Sequence, residues 1–370
     1  MIKGNLVLGL VCCAVVAGAA WPTYHGNAGL TGVSVEALPE TLELLWRFSV
    51  GGAVYDTPVS DGARIFFSGK KGKIVALDLK GSKVWEKRFT RMNDAVATVP
   101  VRFEAPLVCG GGLVFAGSTR GTLYALDAKT GEVRWRYEMD GRIVGSPNFV
   151  GVGVIVLDQG EGALHCVDVA TGKLLWKTEG VERCDGAPGV GNGKIVFGSC
   201  LAALHVFSDK GRHLKDIEVG DDDGQIAGGV AVDGNLAFAG LRSGSLVCTD
   251  LEAGDILWSS DFSDEQTFST SAITSNWVVY ASDNGFVYTV NREDGTLVWK
   301  FDTGGLPTSP VVACDKVAVS AGGTLFLLDL DSGKKVWSSE ISDGISSPAL
   351  IGGRIVVGAD DGTVSAFGKK

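Results

Sequence analysis

The chain has 370 residues, 53 of them glycine and 10 proline, with 45% hydrophobic residues and a formal net charge of −10. That apolar content with so little proline excludes a disordered chain. The acidic balance argues against a general affinity for nucleic acid or anionic membrane, leaving room only for a local basic patch.

Taken in order, residues 1–20 have the pattern of a signal peptide. Lys3 precedes an apolar stretch from Leu6 to Val16, and Ala17-Gly18-Ala19-Ala20 supplies small residues for cleavage near residue 19 or 20. The stretch is too short to span a membrane comfortably, so export with no membrane span is expected. Cys12 and Cys13 lie inside the apolar run without a small residue before Cys12, which disfavours lipidation. Residues 21–40, opening WPTYHGNAGLTG, form a lead-in of different composition.

From residue 41 to 370 one unit recurs. It reads GKIVALDLKGSKVW (72–85), GTLYALDAKTGEVRW (121–135), GALHCVDVATGKLLW (162–176), GSLVCTDLEAGDILW (244–258), GFVYTVNREDGTLVW (285–299) and GTLFLLDLDSGKKVW (323–337). A copy at 203–219 lacks the tryptophan, and the last, GTVSAF (362–367), stops short. An apolar run, an Asp-led turn with a glycine and a second run ending in tryptophan predict two antiparallel strands. A further strand pair precedes each copy, as in SPALIGGRIVVGA (347–359). Four strands in roughly forty residues is the period of a propeller blade. The expected fold is therefore all-β, an eight-bladed β-propeller of four-stranded antiparallel blades. Leu42 to Ser49, which carries Trp46 with no repeat before it, should complete the last blade and close the ring.

Recurrence also sorts the conspicuous residues. One tryptophan per blade at a fixed place reads as packing between blades, not as a stacking platform. The repeated Asp78, Asp127, Asp168, Asp250 and Asp329 read as turn residues bonding nearby amides, without the dense oxygen ligands of a calcium loop. Of the cysteines at 109, 166, 184, 200, 248 and 314, Cys166 and Cys248 take the mid-strand place of Ala125 and read as small buried thiols. An even count in an exported protein permits disulfides without fixing their pairing. His25, His165, His205 and His213 are scattered and read as structural, and no Cys/His cluster has metal-ligand spacing.

The pattern of small residue-Pro, strand pair and G-x-L-Y-A-L-D-x-x-T-G-x-x-x-W resembles the pyrroloquinoline-quinone (PQQ) type repeat over about residues 41–367. That family includes quinoprotein alcohol dehydrogenases and non-enzymatic, BamB-like propellers of outer-membrane protein assembly, so the resemblance is specific for fold and not for activity. A dehydrogenase of the family would require Ca²⁺ held by Glu, Asn and Asp oxygens, a catalytic Asp and a tryptophan against the quinone. Many also carry a disulfide between adjacent cysteines, and here only Cys12-Cys13 are adjacent. Neither PQQ nor Ca²⁺ nor any other cofactor is expected, and no catalytic residue is assigned.

Function should lie where blades differ. Residues before the recurring Ser-Pro should line the channel mouth in tiers. The first holds Asp56, Glu104, Gly145, Gly186 and Ala227 with their counterparts, and the second Tyr55, Phe103, Val144, Asp185 and Phe268. The third holds Arg102, Cys184 and Gln225, with Arg142 and Arg183 one residue further out. The charges Asp56, Arg102, Glu104, Arg142, Arg183 and Asp185 all come from blades one to four, and an insertion from Thr90 to Val101 should sit at the same mouth. Forked arginine donors would suit an anionic ligand or peptide, whereas mutual ion pairing beside a wet channel is the plainer account. The eroded fourth copy offers an altered outer edge. These features together predict an exported, monomeric, non-catalytic propeller that binds a protein partner of the cell envelope. The alternative is a PQQ-dependent dehydrogenase or a sugar-binding propeller using the mouth.

Overall fold

The computed structural model describes residues 20–92, 97–220 and 224–370, so the expected signal peptide at 1–19 lies outside the described residues. Strands run consecutively through each sheet, as in blade two: Val108–Gly110, Leu113–Gly117, Thr122–Asp127 and Val133–Glu138. Eight such four-stranded units form the propeller. In the last, Glu43–Ser49 pairs antiparallel with Thr363–Gly368, placing Trp46 opposite Ala366. The ring is closed by the N-terminal strand, as the repeat pattern predicts.

Each blade is shaped by the same local chemistry. The Asp127 carboxylate accepts the amides of Lys129 and Thr130, both at 2.9 Å, which fixes the turn between the third and fourth strands. Gly131 follows with φ of +72°, and a Cβ there would lie 2.7 Å from the Trp85 ring of the preceding blade. Glycine is required twice over, by the left-handed backbone and by the indole above it. The Trp85 indole N–H then donates to the Ala128 carbonyl at 3.0 Å. Trp46, Trp135, Trp258 and Trp299 repeat that bond to Leu79, Val169, Arg292 and Leu330. Tryptophan is thus the clasp between neighbouring blades. The hydrophobic core accordingly lies between sheets, with Phe115 and Leu123 of blade two packed against Val154 and Val156 of blade three.

Blade four departs from this scheme. Lys215 stands opposite Val206, the place Trp135 takes opposite Ala125. Its ammonium donates to the Glu252 carbonyl at 2.6 Å and lies over Gly254, so a lysine performs the clasp with a fraction of the apolar area. Cys166 and Cys248 stand opposite Trp176 and Trp258 and are buried, and all six described cysteines are free thiols.

The lead-in runs against the innermost strands of blades one to seven and reaches blade eight at the turn after its innermost strand. Trp21 pairs with Ser60 of blade one, and the Pro22 carbonyl accepts the Cys109 amide of blade two. The Ala28 carbonyl accepts from the Asn148 side chain and the Val190 amide, and those of Gly29, Thr31 and Gly32 accept from Val232, Ile273 and Val312. The Glu36 carboxylate completes the circuit on the Gly353 amide of blade eight. These partners lie toward the far ends of the innermost strands, so the segment closes the channel from the face opposite the mouth. Leu30 and His25 are fully buried inside it. Both His25 ring nitrogens face carbonyl oxygens, of Leu30 at 2.8 Å and Pro310 at 3.0 Å.

Candidate functional site

Every blade feeds its innermost strand from the mouth, and backbone bonds define a rim there. The amides of Thr119, Gln159, Cys200 and Arg242, just past the second strands, donate to the carbonyls of Arg102, Arg142, Arg183 and Gln225. Arg142 and Arg183 therefore belong to the same ring as Arg102 and not one residue outside it, which corrects the sequence-based tiers. A second correction falls in blade five. Cβ atoms built on Gly145, Gly186 and Gly228 would each meet a backbone carbonyl of the next blade, so Gly228 and not Ala227 shares their tier. Sequence could not show either offset, because glycine-rich lead-ins align equally well when slipped by one residue.

The charges fall into separate groups. Arg142 reaches across from blade three to Glu104 of blade two at 2.9 Å, both about half exposed. Arg183 pairs with Asp185 at 3.1 Å, and the Gln159 amide also donates to Asp185. Arg102 is exposed and makes no ion pair among the described residues. Water and salt screen such exposed pairs, so they cost little to exchange for other partners. Asp56 stands apart. It is 9% exposed, accepts a hydrogen bond from the Ser68 hydroxyl, and makes no ion pair among the described residues. Burial drives its pKa up to about 7, the Ser68 bond opposes that, and the charge of Glu104 adds to it.

On the rest of the rim acidic side chains, Asp283 of blade six and Asp360 of blade eight, stand among exposed apolar ones. Tyr55, Phe268 and Leu306 are 56%, 36% and 67% exposed. Within the insertion Thr90–Met92 pairs antiparallel with Thr98–Pro100, anchored where Phe89 meets Phe103 and Tyr124 at 5.5 and 4.8 Å between ring centres. The strand pair stands beside Arg102 and Glu104. The mouth thus has salt-bridged arginines on blades three and four beside the strand pair Thr90–Met92 and Thr98–Pro100, and exposed apolar side chains on blades one, six and seven.

Sequence reasoning missed the polar partners, Ser68 and Gln159, which sit in second-strand ends with no motif to mark them. It also missed a relay in blade four: the Ser199 hydroxyl lies 2.8 Å from His205 Nε2, whose Nδ1 lies 2.7 Å from Asp216. That order matches a hydrolase triad, but Ser199 is wholly buried, so no substrate can reach it. The relay braces the blade. His165 is similarly engaged with Tyr137 at 2.8 Å, and burial lowers its pKa to about 4. Among the described residues no three His, Cys, Asp or Glu side chains are grouped to hold a metal ion. The mouth carboxylates do not converge: Asp56 is bound to Ser68, Glu104 to Arg142 and Asp185 to Arg183. The clasp tryptophans lie between blades, away from the mouth. These residues do not fit a quinone-metal centre.

Comparison with known proteins gives a consistent picture. The family model described as outer membrane protein assembly factor BamB matches residues 95–182, 164–344 and 283–370. Outer membrane protein assembly factor BamB of Yersinia pestis is 24% identical, over 99% of this chain and 99% of the relative. Among solved structures, BamB from Moraxella catarrhalis superposes with a TM-score of 0.73 at 21% identity, covering 89% of this chain and 98% of that one. Quinohemoprotein alcohol dehydrogenase from Comamonas testosteroni gives 0.74 at 14% identity, covering 95% and 81%. At such identities the structural likenesses show the fold alone.

Proposed function

This chain belongs to the outer membrane protein assembly factor BamB family, and from that premise we propose that it is an exported, non-catalytic scaffold that binds a protein partner in outer-membrane protein assembly. The observation that carries the reading is the likeness to such factors from end to end of both chains. The mouth suits the task. Arginine forks loosely engaged with Glu104 and Asp185 can be handed to acidic groups of a partner. Tyr55, Phe268 and Leu306, on blades one, six and seven, supply desolvatable anchors on the same rim. The propeller holds both groups at fixed separation, so recognition costs little conformational entropy. It acts as a monomer in the periplasm or at the outer membrane, after cleavage of its leader near residue 19 or 20, and needs no cofactor.

The test is capture from envelope extract with the mature chain. Wild type should retain an outer-membrane assembly component. The double variant Arg142→Ala/Arg183→Ala should lose at least about tenfold in affinity, the scale of removing charged groups from an interface. Undiminished capture by that variant would remove the mouth as the docking surface. The dehydrogenase fold neighbours keep one rival in view. Quinone-dependent dye reduction after adding PQQ and Ca²⁺ would overturn the scaffold reading, as would a sugar bound at the mouth in place of any protein.

A further inference from the structure

One tryptophan lies outside both the repeat and the lead-in. The outermost strands account for the clasp residues, Trp46 through Trp337, and Trp21 pairs with blade one. Trp277 instead opens the second strand of blade six, Trp277–Ala281. The corresponding residues of blades one, two, four, five and seven are Arg64, Leu113, Lys194, Leu236 and Lys316. That strand end lies on the face opposite the mouth.

The indole is held in one orientation. The Thr274 hydroxyl oxygen accepts the amides of Asn276 at 3.3 Å and Trp277 at 2.8 Å, and the Trp277 ring N–H donates to Asp331 of blade seven at 3.2 Å. Two clefts of about 540 and 590 Å³ share Ser275, Asn276, Trp277 and Arg292 as a common wall. Both volumes fall in the range of about 300–1,000 Å³ usual for small-ligand sites. One cleft extends toward Asp331 of blade seven, the other toward Leu257 and Trp258 of blade five. Ser275 and Asn276 are exposed and Trp277 is half-buried, so the wall is reachable from solvent.

Charge narrows the ligand. Arg292 Nη1 already meets Asp233 at 2.6 Å and the Thr274 carbonyl at 2.8 Å, so its charge is matched. Asp331 and Glu293 add negative charge beside it, which repels an anion. What remains is a half-buried indole lining both clefts, next to a hydroxyl, an amide, a carboxylate and the unused guanidinium N–H groups. Sugar hydroxyls both donate and accept, matching that mixed set, and the C–H face of a pyranose ring offers apolar surface to an aromatic ring. We propose that Trp277 and its two clefts form a saccharide-binding site on the face opposite the mouth.

Saturation-transfer NMR and calorimetry on the mature chain, with N,N′,N″-triacetylchitotriose and with maltotriose as probes, test this. At least one should bind, and Trp277→Ala should weaken it by at least about tenfold, roughly what losing an aromatic contact in a small site removes. Asn276→Ala, a surface change that leaves the fold alone, should weaken it as well. Arg142→Ala should leave saccharide binding unchanged, and Trp277→Ala should leave capture of the envelope partner unchanged, so this site and the mouth stand or fall separately. Failure of both saccharides to bind, affinity that survives both cleft substitutions, or binding of choline in their place would overturn the proposal.

Discussion

A carboxyl group removed from water resists ionisation, and Asp56 is placed to be governed by that rule. Burial raises its pKa from the ordinary carboxylate range to about 7, more than the Ser68 bond can offset. In the folded chain the acid form is therefore favoured, while the unfolded chain ionises near pH 4. The folded state holds the extra proton between those values, so stability falls as pH rises from about 4 to 7 and the cost stays constant above. Asp56→Asn keeps an acceptor for Ser68 and removes the ionisation. It should raise stability at pH 8 by about 2–4 kcal/mol and leave it nearly unchanged at pH 4. Denaturant melts at the two pH values check this, and an equal effect at both would rule out ionisation as the cause. The buried histidines act in the opposite direction. The pKa values of His25, His165 and His205 are lowered by burial, so falling pH protonates them in the unfolded chain first and stability drops below about pH 6.5.

At the scale of the element, the clasp explains why so much of the fold is legible in the sequence. Tryptophan, turn glycine and turn aspartate recur because each blade needs the same contact with the next, and the recurrence gives strand order and ring closure together. What varies without repeating is illegible for the same reason. Lys215 has no motif, and only its position opposite Val206 identifies it as a clasp. Arg142 and Arg183 read one residue out of register in the sequence because the stretch joining rim to innermost strand carries no apolar alternation to fix it. A lysine clasp buries less apolar surface than an indole, so Lys215→Trp should restore the contact over Gly254. We expect a gain of about 1 kcal/mol, a rise in melting temperature on the order of 2 °C. The converse change, Trp85→Ala, should cost about 3–5 kcal/mol. Thermal melts of both variants against wild type decide the matter. A Lys215→Trp chain less stable than wild type would mean that blade four is not an eroded copy but one fitted to its lysine.

At the scale of the molecule, closure is doubly secured, and only one of the two devices announces itself. The strand Glu43–Ser49 carries a repeat tryptophan and could be assigned to the last blade on sight. The lead-in acts through its backbone carbonyls, which have no signature in composition or spacing, so its course around the channel emerges only in the structure. The two devices should be separable. A chain beginning at residue 37 keeps Glu43–Ser49 and therefore the closed ring, but leaves the amides of Cys109, Val190, Val232, Ile273 and Val312 without their carbonyl partners. Those amides should then exchange with solvent about fivefold faster in hydrogen-exchange measurements, the loss of roughly one hydrogen bond's net worth each. Amides of the second and third strands should keep their protection. A chain beginning at residue 50 loses the closing strand as well, exposing the edge of Thr363–Gly368, and should unfold or self-associate. If innermost-strand exchange is the same with and without residues 20–36, the lead-in is a passenger in the channel. If it quickens as expected, the segment tunes the rigidity of the strands that carry the mouth, and with it the fixed spacing of the two groups of side chains on which partner recognition rests.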